Sequence, residues 1–124
     1  MDNPNGLIAP ASFWLLSEEE VNRRYNGCGY GKYGSWLTPD SMWGIDIKIA
    51  WNIHDHEYAV GQTAQDKVDA DCHLLHNLYI LIENNPYPVL DGLMYQRAQN
   101  YYEMVMMFGY KAFWHGKLNN LTTC

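Results

Sequence analysis

Apolar positions recur at helical spacing through the second half of the chain. Val68, Cys72, Leu75, Tyr79 and Ile82 are separated by steps of four and three, and Leu74, Leu78 and Leu81 widen the stripe. That is the signature of a helix with one buried face. Thr63 or Gln62 stands near its start, after the chain break at Gly61, and the run Asn84-Asn85-Pro86-Tyr87-Pro88 ends it in a turn. A third helix opens at Asp91 and runs through about Tyr110, with a tail toward residue 116 weakened by Gly109 and Gly116.

The first half is less regular. Residues Met1 to Ala11 are rich in Pro, Gly and Asn and predict an extended arm, reaching to about residue 16. Ser17-Glu18-Glu19-Glu20 is a capping-box pattern and starts a short helix. Tyr25 to Gly34 holds four glycines in ten residues and predicts an ordered loop, not a regular element. Thr38-Pro39-Asp40 reads as a helix start, with a capping hydroxyl, a first-turn proline and an acid at the positive dipole end. Against this, Ile45-Asp46-Ile47-Lys48-Ile49 alternates with the period of a strand. Ile47, Ala50, Trp51, His54 and Tyr58 keep helical spacing for longer, so the expectation is one helix from Thr38 to about Tyr58. The predicted fold is mostly α: two to three long helices, an antiparallel pair among them, and a Gly-rich loop, in a single domain over residues 1–124.

Composition narrows the function classes. The 124 residues are 48% apolar and 15% aromatic, enough for a core and too much for a disordered acidic tail. Eight Lys and Arg against 14 Asp and Glu give a net charge of -6, which argues against sequence-independent binding of nucleic acid. No apolar run approaches the roughly 20 residues of a membrane-crossing helix. Three cysteines, an odd number, and an N-terminus without a cationic signal region predict reduced thiols and synthesis in a cytoplasm. Later release, for instance within a larger particle, stays open.

The chemistry gathers between Trp51 and Leu78, where four of the five histidines lie. Asp71 stands on the apolar stripe, and a carboxylate there must be satisfied by something opposite. His54 shares the stripe of Ile47, Trp51 and Tyr58. If the two stripes face each other, His54 meets Asp71 in a dry seam, where the acid fixes the tautomer of the ring and suits it to act as a base. Tyr58, one turn on, can donate its hydroxyl to the same carboxylate. Asp69 is the alternative acid, on the polar side with Gln65, His73 and His76. Asp55 is rotated about 100° from His54 and projects toward a neighbouring loop. A Gly-rich loop offers carbonyl oxygens that, with a carboxylate, suit Ca²⁺, and amide N–H groups that suit an oxyanion.

Tyr25-Asn26-Gly27-Cys28-Gly29-Tyr30-Gly31, His54-Asp55-His56-Glu57-Tyr58 and a helical Asp71 together resemble the phospholipase A2 superfamily, in the disulfide-poor form of small bacterial enzymes and parvovirus capsid domains. The resemblance covers about Tyr25 to Leu78. It implies that His54, Asp71 and Tyr58 form the catalytic group and that Asp55 binds Ca²⁺ with carbonyls of Gly27, Gly29 and Gly31. It further implies that the N–H of Gly29 helps hold the oxyanion. The implied reaction is hydrolysis of the sn-2 ester of a glycerophospholipid at a phospholipid membrane surface. Trp14, Trp36 and Trp43 are candidates for contact with that surface.

Other readings belong beside this one. A metal-dependent phosphohydrolase with an H…HD…D ligand set needs a histidine upstream of the pair, and the first histidine here is His54. A non-catalytic structural or assembly module would use the His54–Asp71 pair only as a buried polar link. His56, His73 and His76 read as a solvated face before they read as a transition-metal site. Met104, Met107, Phe108 and Tyr110 read as core or as contact between copies in a homo-oligomer. Cys72 reads as a small buried hydrophobe.

Overall fold

The structure is a computed structural model that describes residues 1–25, 40–86, 88–115 and 117. It is mostly helical. Helices α1 (Ala11–Trp14) and α2 (Glu18–Tyr25) precede a two-stranded hairpin of β1 (Ser41–Met42) and β2 (Ile45–Asp46). Helices α3 (Lys48–Val60), α4 (Ala64–Glu83), α5 (Asp91–Phe108) and α6 (Tyr110–Trp114) follow, with a short 3-10 turn (Pro88–Leu90) before α5. Among the described residues, no helix is long and apolar enough to cross a membrane.

Helix α4 is the centre of the packing, with α3 on one side and α5 on the other. Three residues separate α3 from α4, so the two double back along each other. The buried face of α4 carries Leu74, Leu78, Leu81 and Ile82, which meet Ala50, Trp51 and Ile53 of α3 and Met94, Ala98 and Val105 of α5 in one core, while Ala70 packs with Tyr58 and Phe113 in a second, smaller cluster. Burial of such side chains contributes about 1.5–3 kcal/mol each. Thr63 caps α4 as expected, and its capping box is completed by Asp66: Asp66 N–H donates to Thr63 Oγ1 at 3.1 Å and Thr63 N–H to Asp66 Oδ2 at 3.1 Å. Ser17 and Glu20 open α2 in the same manner.

The N-terminal arm is extended only as far as Pro10 and is tied down. Asn77 of α4, fully buried, holds the backbone of Ile8 from both sides: Ile8 N–H donates to Asn77 Oδ1 at 2.6 Å, and Asn77 Nδ2 donates to Ile8 O at 2.8 Å. Leu7 is buried beside it.

Four expectations need correction. The helix expected from Thr38 does not run through Asp40 to Ile47: a hairpin stands there, with Met42 opposite Ile45. Its two turn residues, Trp43 at φ +47° and Gly44 at φ +85°, both have left-handed backbone, the type I′ geometry that matches strand twist. The strand-like alternation was therefore correct at Ile45–Asp46, and helical spacing takes over only from Lys48. Second, the buried face of α4 is turned relative to the expected stripe. Val68 is 52% exposed, and Cys72 and Leu75 are half-buried, while Lys67 and Asn77 lie inside. Third, the C-terminal helix is broken at Gly109. Finally, of the two roles expected for the Met104–Tyr110 group, core holds for Met104 alone: Met107, Phe108 and Tyr110 are exposed, which bears on core and not on contact between copies. The Gly-rich loop, with Gly27, Gly29 and Gly31, lies outside the described residues, as does Trp36.

Gly61 has a packing role beyond breaking the chain. A Cβ there would meet Phe113 Cε2 at 2.8 Å and Glu57 O at 2.9 Å. Gly61→Ala is expected to destabilise the fold by about 1–3 kcal/mol. Gly92→Ala, at a helical position with open space around it, is expected to stabilise by up to about 1 kcal/mol. Urea denaturation of the two variants checks the pair, and equal effects would contradict the packing seen at Gly61.

Candidate active site

Successive polar residues of α3 point in different directions, because each step turns the side chain by about 100°. His54 and Tyr58, four apart, face α4. Asp55 faces a cavity beside α6. His56 faces α1 and α2. Glu57 faces the outer edge of α4.

The seam between α3 and α4 holds the group expected from the two stripes. His54 is wholly buried and Asp71 is 2% exposed. His54 Nε2 lies 2.9 Å from Asp71 Oδ1, Tyr58 Oη donates to the same oxygen at 2.6 Å, and Lys67 Nζ donates to Oδ2 at 2.8 Å. The inward acid is Asp71. Asp69, the alternative, is exposed and accepts from Gln65 Nε2 at 2.9 Å.

Burial pushes the Asp71 carboxyl up, but the bonds and charge of His54, Lys67 and Tyr58 outweigh it and hold the group below its ordinary value of 3.8. An ionised carboxylate only accepts, so the network assigns the proton of neutral His54 to Nε2. Nδ1 is then a bare acceptor. Among the described residues it is buried without a hydrogen-bond partner, as are Trp51 Nε1 and Glu57 Oε1.

His56 is the internal contrast. Its Nε2 lies 2.8 Å from Ser12 Oγ and its Nδ1 2.7 Å from Tyr25 Oη. Burial, then the charge of Arg24, lowers its pKa below 6.5. Both nitrogens are occupied, and the ring links α1 and α2 to α3. Glu57 accepts from or pairs with His73 Nδ1 at 2.8 Å, and burial pushes its carboxyl up against that contact. His73 is thus engaged by Glu57, while His76 is exposed. Among the described residues no group of three or more His, Cys, Asp or Glu could hold a metal ion.

Asp55 lies on the wall of a cavity of about 630 Å³ shared with Tyr25, Tyr58, Phe108, Lys111, Phe113, His115 and Lys117. Tyr58 therefore belongs to both regions: it lines the cavity and its hydroxyl reaches Asp71. Neither His54 nor Asp71 lines the cavity. A carboxylate is a hard ligand of the kind Ca²⁺ takes. The three glycines expected to complete the ligand set lie outside the described residues.

Lys67 was missed by sequence reasoning, which treats lysine as solvent-facing. Its spacing of four from Asp71 was the available signal.

Comparison of the chain with protein-family models, with curated proteins and with solved structures gave no match.

Asp71 makes the fold acid-sensitive. Its folded pKa lies below the unfolded one, so the stability it contributes is present above about 3.9 and is lost as pH falls through the folded value. Asp71→Asn is expected to remove that acid limb. At neutral pH it should cost about 3–5 kcal/mol, because the Lys67 cation is left buried without its counter-ion. Denaturant midpoints measured from pH 7 down to pH 2 check both. A variant that keeps the wild-type slope would show that the acid limb belongs to another group.

Proposed function

We propose that this protein is a phospholipase A2-like esterase that hydrolyses the sn-2 ester of glycerophospholipids in the presence of Ca²⁺. The observation that carries the reading is the asymmetry of the His54 ring. One nitrogen is anchored on a buried carboxylate and the other is a bare acceptor. A histidine used only as a structural link has both nitrogens engaged, as His56 does.

In this reading His54 is the catalytic base. Its Nδ1 takes a proton from the attacking water as the water oxygen adds to the ester carbonyl. Asp71 holds the ring in the required tautomer and stabilises the imidazolium that forms. Tyr58 fixes the same carboxylate oxygen. The proton then passes from Nδ1 to the departing glycerol oxygen, which restores the neutral ring. Asp55, with carbonyls of Gly27, Gly29 and Gly31, would hold Ca²⁺, and the N–H of Gly29 would meet the oxyanion, as the family resemblance implies. The bound cation would supply stabilisation of the negative charge on the carbonyl oxygen. The substrate reaches the protein at a phospholipid surface.

One observation favours the second reading, a structural or assembly module: the His54 ring is fully enclosed. The esterase reading requires a water to enter the seam at Nδ1.

The two readings part in one experiment. Wild-type protein with millimolar Ca²⁺ is expected to release fatty acid from phosphatidylcholine vesicles, and a chelator should stop it. His54→Gln is expected to lower the rate by about 10²–10⁴-fold, the usual share of a general base, with its circular dichroism unchanged. Asp55→Asn is expected to abolish the saturable change in Trp fluorescence that Ca²⁺ produces in the wild type. A wild-type protein that releases no fatty acid, with or without Ca²⁺, removes the esterase and leaves the module.

A further inference from the structure

Lys67 is an unusual resident of a core. It is 3% exposed, and a buried ammonium is costly unless its charge and all three N–H donors are satisfied. Here they are: Nζ donates to Asp71 Oδ2 at 2.8 Å, to Val105 O at 3.1 Å and to Met106 O at 3.4 Å. Both carbonyls belong to the last turn of α5, where the helix presents its negative pole. The Tyr110 ring covers the ammonium, with its centroid 4.2 Å from Nζ. The cation is therefore held by a helix end that belongs to neither partner of the His54–Asp71 pair.

We infer that Lys67 is the positioning residue of the pair: it clamps Oδ2 of Asp71 so that Oδ1 faces the His54 ring. The inference rests on the esterase reading for its effect on rate, though not for its effect on geometry. A carboxylate turns readily about its Cβ–Cγ bond. Oδ1 alone, shared between His54 and Tyr58, does not fix that rotation. A second oxygen bonded to a donor that two carbonyls immobilise does. The end of α5 thus sets the orientation of a ring on α3, through one ammonium.

A purely structural lysine would lower stability without touching turnover below the melting temperature. A positioning lysine lowers kcat while KM stays the same, because substrate binding does not sense the carboxylate plane. The test compares wild type, Lys67→Met, Lys67→Arg and the core control Leu78→Ala. It measures thermal stability, kcat and KM on a short-chain phosphatidylcholine with Ca²⁺, and the low-field proton NMR resonance of His54 Nε2–H. That resonance is assigned by its loss in His54→Gln. Lys67→Met is expected to lower kcat at least about tenfold with KM within about twofold, and to shift or erase the resonance. Leu78→Ala should lower stability and change neither. Lys67→Arg keeps the cation and the fold but displaces the donor, so it should show a smaller fall in kcat and a shifted resonance.

A folded Lys67→Met with wild-type kcat and resonance overturns the inference. If the Met variant does not fold, an Arg variant identical to wild type in both readouts overturns it. If the wild type hydrolyses nothing, the esterase reading fails and the resonance alone decides: its survival in the folded Lys67 variant refutes the clamp, and its loss supports it.

Discussion

The protein's polar interior is organised by the need to satisfy one buried carboxylate. Moving Asp71 out of water costs several kcal/mol even after relaxation. The chain answers with donors on both sides of its seam: His54 and Tyr58 from α3, and Lys67 from α4. Lys67 in turn needs α5. Three helices are thus tied at one point by charge-assisted bonds, which are shorter and stronger than neutral ones. An apolar seam of equal volume would hold the same helices at least as well. The network's contribution is therefore orientation: a ring, a phenol and an ammonium each fixed relative to a single acid.

Much of this was legible in the sequence, and the reasons are specific. Asp71 is legible because it stands at helical spacing on the apolar stripe, three after Val68 and four before Leu75. His54 and Tyr58 were found because they continue the stripe of Ala50 and Trp51. The face of α4 was nonetheless placed slightly off, since Val68 and Cys72 suggested it and Lys67 and Asn77 argued against it. Periodicity weighs only how apolar a residue is. It has no means of knowing that an ammonium will meet a carboxylate and two carbonyls, or that an amide will pair with the backbone of an arm 69 positions away. The hairpin was hidden for a different reason. Its turn is Trp43-Gly44, and tryptophan at φ +47° lacks the local hydrogen bonding that lets Asn or Asp occupy that region. Arg97, whose guanidinium carbon lies 5.0 Å from the centroid of the Trp43 ring, is a contact from α5 that supports the turn. No local sequence signal contains it.

The five residues from His54 to Tyr58 show how one helix divides labour without any loop. Their directions follow from the helical repeat alone, so seam, cavity, N-terminal helices and outer edge each receive one or two polar groups. Tyr58 belongs to two of these regions: it lines the cavity and its hydroxyl lies in the seam.

The break at Gly109 fits the same logic. A carbonyl oxygen has two lone pairs, and the Val105 carbonyl uses both: it accepts Gly109 N–H at 2.8 Å and Lys67 Nζ at 3.1 Å. Past Phe108 the chain turns, the Met106 carbonyl accepts from Lys67 Nζ at 3.4 Å and the Tyr110 ring covers the ammonium. The same turn exposes Met107 and Phe108, a cost in apolar surface that a straight helix packed along α4 would reduce. This helix end therefore takes part in the electrostatics of the seam. Asp71 connects the ring that faces it to a helix end that the ring never touches.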